Sequence, residues 1–95
     1  MATDLFYIDD YYVFTFAATA HALKAEKVLK NMNADFLVIP TLREISTSCG
    51  LSVKLSPVNL NLYKESLLEN QVNIEGIYHV RKEGKKNHIT KIDLE

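Results

Sequence analysis

A single cysteine, Cys49, in a chain of 95 residues leaves no route to an internal disulfide. In a reducing compartment that thiol stays free. No apolar run approaches the roughly 20 residues needed to span a bilayer. The opening "MATDLFYIDDYYVF" lacks a basic start followed by a long apolar stretch, so no secretory signal is expected there. The formal net charge of -1 gives no general pull towards nucleic acid or anionic membranes. Arg81, Lys82, Lys85 and Lys86 are few and are interrupted by Glu83, so they make no case for nucleic acid. There is no phosphate-binding glycine loop, no paired-histidine motif and no serine elbow. Cys49, His21, His79 and His88 lack metal-ligand spacing, so no metal or resident cofactor is expected. What remains is ordinary globular composition, 47% apolar and 24% charged. It predicts one cytoplasmic domain over residues 1–95, with a core at about 11–80 and a polar tail at 81–95.

Hydrophobic spacing sets out the elements. "YYVFTF" (11–16) is aromatic and β-branched, the pattern of a buried strand. In the next segment Ala18, Ala22, Ala25, Leu29 and Met32 fall on one face of a helix, with Lys24, Lys27 and Asn31 opposite. "DFLVIP" (35–40) is a short strand ended by proline. "GLSVKLS" (50–56) alternates: Leu51, Val53 and Leu55 point one way, Ser52, Lys54 and Ser56 the other, towards water or a functional face. Ser56 and Pro57 suit the start of a second helix, striped by Leu60, Tyr63 and Leu67. "NIEGIYHV" (73–80) is a last strand, and the polar remainder reads as a tail or a weak extra element. Strand, helix, strand, strand, helix, strand is the order of an α+β, ferredoxin-like βαββαβ sandwich. Such a fold has a four-stranded antiparallel sheet, in spatial order fourth, first, third, second, with both helices on one face.

That topology gives Cys49 a predicted neighbourhood. The third strand begins at the edge where the first strand hands over to the first helix. Cys49 and Gly50 are therefore expected near residues 15–21, close to a helix N-terminus. Helix N-termini carry roughly half a positive charge. A free thiol titrates near ~8.5 and is only about 3% ionised at pH 7. A fall of two units would make it roughly 75% thiolate, at about 2.7 kcal/mol. Ser46, Thr47 and Ser48 offer hydroxyl donors, Gly50 permits close backbone approach, and Arg43 or His21 can add positive charge. A lone cysteine is commonly inert packing, but this one sits between Ser48 and Gly50 in a polar loop rather than in an apolar run. For His21 the plain reading is a half-buried helix histidine, and for Arg43 and Glu44 a solvated pair.

The stretch from Tyr11 to about Val80 resembles the bacterial selenium/sulfur carrier protein-like family, long described as a domain of unknown function. The resemblance rests on the aromatic strand ending at Phe16 and on "HALKAEKVLK". Its specific part is a Pro-x-x-Arg-x-Ile-Ser-x-x-Cys-Gly loop, filled by Pro40, Arg43, Ile45, Ser46, Cys49 and Gly50. Ala18 stands where the family often has a hydroxyl residue, which leaves Thr19 as the expected helix cap. The resemblance implies a stoichiometric carrier rather than a turnover enzyme. Cys49 would hold sulfur or selenium as a persulfide or perselenide. The implied donor is a cysteine desulfurase or a selenium-releasing enzyme, and the implied acceptor is selenophosphate synthesis or a thiolation pathway.

Two other readings compete. Sandwiches of this type often dimerise through an open sheet face and act as binding or regulatory modules, an argument from fold alone. Lys54, Ile77 and His79 would then share that face. A redox sensor forming intermolecular disulfides through Cys49 would share the chemistry but not the cargo.

Overall fold

The computed structural model describes residues 9–45, 50–56 and 59–92. Its elements are β1 (Asp10–Phe16), α1 (Thr19–Asn31), β2 (Phe36–Pro40), β3 (Leu51–Leu55), α2 (Leu60–Glu69), β4 (Ile74–Glu83) and β5 (Lys86–Ile92). Among the described residues the fold is α+β, with two helices and one five-stranded antiparallel sheet in the order β2-β3-β1-β4-β5. The sheet thus has five strands, which corrects the expected four. The polar tail beyond residue 80 continues β4 to Glu83, turns, and pairs along it as β5. Gly84 takes φ +60° at the first of the two turn residues, between the paired Glu83 and Lys86. Glycine at that place suits a tight two-residue hairpin.

The aromatic strand β1 is central, and its alternation builds two cores. Phe14 and Phe16 point to the helix side and pack with Ala22, Ala25 and Leu29 of α1, Leu67 of α2, and Val53, Leu55 and Ile77 of the sheet. Ala22, Ala25 and Leu29 form the buried face of α1 as the helical spacing predicts, with Met32 partly buried beside them, whereas Ala18, expected on that face, is the exposed N-cap. Tyr11 and Val13 point the other way, to a smaller cluster with Ile45 and Val80. Leu51, Val53 and Leu55 face the helices as expected, but the opposite face of β3 is not wet. Ser52 is fully buried and Lys54 is only 9% exposed.

Both helices stop by the same device. Asn33 and Gln71 adopt positive φ, of 57° and 63°. Beyond α1, Asn33 N–H donates to Lys30 O and Ala34 N–H to Leu29 O, while beyond α2 Gln71 N–H donates to Leu68 O and Val72 N–H to Leu67 O. These paired bonds are Schellman closures, which satisfy the last carbonyls and turn the chain back to the sheet. The starts differ from expectation. α1 is capped by Ala18 in extended conformation, and Thr19 is its first helical residue. The cap of α2 is Asn59, with φ 64°, and not Ser56. Pro57 lies outside the described residues.

Candidate functional site

The chain between β2 and β3, residues 41–50, is held at its root by the sheet. Thr41 N–H donates to Gly50 O at 3.0 Å, which continues the β2–β3 ladder by one pair. The hydroxyls of Thr41 and Ser52 hydrogen-bond at 2.7 Å. One strand further in, Thr15 is fully buried, and its Oγ1 donates to Gly76 O at 3.3 Å. Thr15 is paired with Ser52. A row of hydroxyls from Thr41 through Ser52 to Thr15 therefore crosses the helix-free face at the end where β1 leaves for α1. Burial of such groups is tolerable because hydrogen-bond partners replace the lost water.

From that root residues 42–45 run as a strap across the helix-free face. Ile45 N–H closes a turn onto Leu42 O at 3.0 Å. The Ile45 side chain, 5% exposed, enters the cluster of Tyr11, Val13 and Val80. Glu44 Oε2 accepts a hydrogen bond of 3.2 Å from Asn87 Nδ2 on β5. The same tyrosine carries a cation on its ring: Lys54 Nζ lies 4.2 Å from the Tyr11 ring centroid. Burial pushes the Lys54 ammonium below its ordinary pKa, nearby Lys82 adds to the fall, and Asp9 acts against it. Burial raises the Tyr11 phenol, and the negative charge of Glu44 raises it further.

The residues expected at the site are distributed as follows. Cys49, Ser46, Thr47 and Ser48 lie outside the described residues. Gly50 is exposed; its φ is not positive, and a Cβ built on it meets nothing within 4 Å. Arg43 is exposed on the strap. Thr19 opens α1 as a helical residue, and the helix has no side-chain cap bond. His21 is half-buried, and its Nδ1 accepts the backbone N–H of Asn73 at 3.0 Å. Its neutral form therefore carries the ring proton on Nε2. Ala17 N–H donates to Asn73 O, so the start of α1 is tied to the start of β4 by two bonds.

The binding-face grouping of Lys54, Ile77 and His79 does not hold. Ile77 is 1% exposed within the helix-side core, whereas Lys54 lies on Tyr11 across the sheet. His79 faces the helix side near the far end of β1, stacked on Tyr12 and hydrogen-bonded to Asp10 at 2.5 Å. Sequence reasoning missed the hydroxyl row and the strap. The signal for the row was Ser52 and Thr15 at paired positions; for the strap it was Ile45, an isolated apolar residue in a polar loop. Among the described residues, no group of three or more His, Cys, Asp or Glu is placed to hold a metal ion. Among the same residues, no helix is long and apolar enough to cross a membrane.

An α+β domain whose β2–β3 loop rises from a buried hydroxyl row and carries the one cysteine is the class defined so far. Residues 11–79 match the model of the family described as "Putative Se/S carrier protein-like", and the chain belongs to that family. Among curated proteins and among solved structures, none matches the chain.

Proposed function

We propose that the protein carries sulfur or selenium on Cys49 and passes it between partner enzymes in the cytoplasm. The observation that carries this reading is membership of the carrier-like family over residues 11–79, in a chain with one thiol. The Cys49 thiolate attacks the terminal sulfur of a donor persulfide. A new S–S bond forms at Cys49, the donor's S–S bond breaks, and the donor leaves as a thiolate. The persulfide on Cys49 is then attacked in turn by an acceptor. A cysteine desulfurase, or a selenium-releasing enzyme that presents the selenium as its own perselenide so that the donor again leaves as a thiolate, suits the donor role, and selenophosphate synthesis or thiolation the acceptor role. No oxidant is needed, because the transferred atom keeps its oxidation state.

Several features support the reading. The loop departs from a rigid, hydrogen-bonded root, which suits a reactive group that must be presented to partners. A Cβ built on Gly50 meets nothing within 4 Å, so among the described residues the space at Gly50 is open. Ser46 and Ser48 are candidate donors to the sulfur or its cargo, with Arg43 as a nearby positive charge. Thr19 and His21 belong to the helix start that topology assigns to the same end of the sheet. The neighbour relations of β1 to β4 support a ferredoxin-like arrangement, with β5 added beside β4.

Incubation with a cysteine desulfurase and cysteine, followed by intact mass measurement without reductant, tests the proposal. The expected result is a gain of one sulfur atom, removed by dithiothreitol and absent in Cys49→Ser. No gain, or the same gain in Cys49→Ser, refutes it. A parallel run with a selenium donor reads the cargo preference.

A further inference from the structure

Among the described residues β2 and β5 are the edges of the sheet, and they are finished differently. β5 carries Lys86, His88 and Lys91, side chains of the kind that discourage addition of another strand. β2 reads Phe-Leu-Val-Ile-Pro, with no charge and with residues 36–39 all half-buried. Phe36 and Val38 border the helix-side core, and Ile39 borders the core on the other face. An apolar edge of this kind is a template for strand addition unless something blocks it.

The ladder tells which backbone groups face outwards. Thr41 donates to Gly50, so Thr41 is a hydrogen-bonded position against β3. Alternation makes Ile39 and Leu37 the next such positions. Phe36 and Val38 therefore turn their N–H and C=O groups away from the sheet. Pro40 is also in the outward set, where its missing N–H costs no ladder bond.

We propose that β2 pairs antiparallel with β2 of a second copy of this chain, about a twofold axis at Leu37. Phe36 of each copy then sits opposite Val38 of the other, and each such pair exchanges two backbone bonds. All the outward N–H groups of β2 are satisfied, and Pro40 stays outside the pairing. The occupant must be an extended strand that is apolar on both faces, and β2 itself meets that requirement. Neither strand brings a charge to the axis, so no like-charged pair opposes contact. Each copy adds the same patch, as a closed twofold dimer demands. The two loops that carry Cys49 leave towards opposite ends of the joined sheet. The pairing is short, so the dimer is weak and concentration-dependent.

The inference does not rest on the carrier reading, and its test uses the Cys49→Ser background. Leu37 faces its own symmetry mate as a non-hydrogen-bonded pair, where Cα atoms lie about 4.5 Å apart, within disulfide range. Leu37→Cys in that background, treated with diamide as acceptor of two electrons and two protons, is expected to give a covalent dimer quickly. Leu62→Cys, on the exposed face of α2, is the control and should cross-link far more slowly. Sedimentation of the Cys49→Ser protein over a concentration series should show a monomer–dimer equilibrium that Leu37→Lys abolishes, with circular dichroism confirming that the variant is folded. A monomer at every concentration, or cross-linking of Leu37→Cys no faster than the control, overturns the proposal.

Discussion

Lys54 lies over the ring of Tyr11, with its Nζ 4.2 Å from the centroid, on a sheet face that the sequence marks as polar. The pair brings together opposite shifts: burial lowers the lysine and raises the tyrosine. The signs fix how stability follows pH. Between the lowered folded pKa of Lys54 and its ordinary value, the unfolded chain binds more protons, so this group makes the fold more stable as pH rises. Between the ordinary value of Tyr11 and its raised folded value, the unfolded phenol ionises first, so stability falls with rising pH. Lys54→Met removes the first effect and Tyr11→Phe the second. Urea unfolding from pH 7 into the alkaline range should show wild type gaining on Lys54→Met. Near the top of that range, wild type should lose ground to Tyr11→Phe. Spectrophotometric titration should find a late-ionising phenol in the wild type that is absent from Tyr11→Phe.

Ile45 anchors the strap. Its side chain is 5% exposed among Tyr11, Val13 and Val80, and no regular element holds the segment there. Ile45→Ala is expected to cost about 2–4 kcal/mol, as other large-to-small changes in cores do, and Ile45→Val about 1 kcal/mol. Denaturant unfolding measures both. A cost for Ile45→Ala below about 0.5 kcal/mol, the range of ordinary surface changes, would mean that the strap is not packed on the sheet.

Gly76 makes room for the Tyr78 ring. A Cβ built there would stand 3.0 Å from Tyr78 Cε1 and 3.3 Å from Thr15 Oγ1. Gly76→Ala should therefore destabilise by about 1–3 kcal/mol, the usual cost of overpacking. In a Tyr78→Ala background most of that cost should vanish, because the ring is the nearer obstacle. An unchanged cost in the double mutant would move the cause to the backbone or to Thr15.

How much of this could be read from the chain depended on whether a pattern was local. The Ala22, Ala25, Leu29 stripe and the Leu51, Val53, Leu55 alternation are local, and the elements they define are present. The buried state of Ser52 and Lys54 depends on Tyr11 and on partners at Thr41 and Thr15, which no spacing within β3 reveals. β5 was hidden for another reason. Its partners Ile77 and Val80 set Ile92 and Ile89 on opposite faces, so the strand shows no alternation. The β4–β5 turn at Gly84 was legible in principle, since "EGKK" places glycine where a tight turn needs positive φ. The candidate site divides similarly. The motif that ends in Cys49 and Gly50 is local and visible in the sequence, whereas the hydroxyl row at the root of the β2–β3 connection joins Thr41, just past β2, to Ser52 of β3 and Thr15 of β1.

The Gly84 turn offers its own check. At φ +60° an L residue is strained, so Gly84→Ala should cost about 1–2 kcal/mol, although a Cβ there meets nothing within 4 Å. Gly84→Asn should cost less, because asparagine tolerates that region. Equal costs for the two variants would mean that the turn relaxes to another conformation.

His21 separates a structural role from a chemical one. Its Nδ1 accepts the Asn73 N–H, and that bond helps join the start of α1 to the start of β4. A histidine held in this way has only Nε2 left for any other partner. His21→Leu should lose about 0.5–1.5 kcal/mol, the worth of one hydrogen bond, in denaturant unfolding. Sulfur loading of Cys49, measured by intact mass under conditions where the variant is fully folded, should keep the wild-type rate and pH profile. A slower rate with an altered pH profile, restored by a residue that supplies positive charge, would instead assign His21 to the chemistry of the thiol.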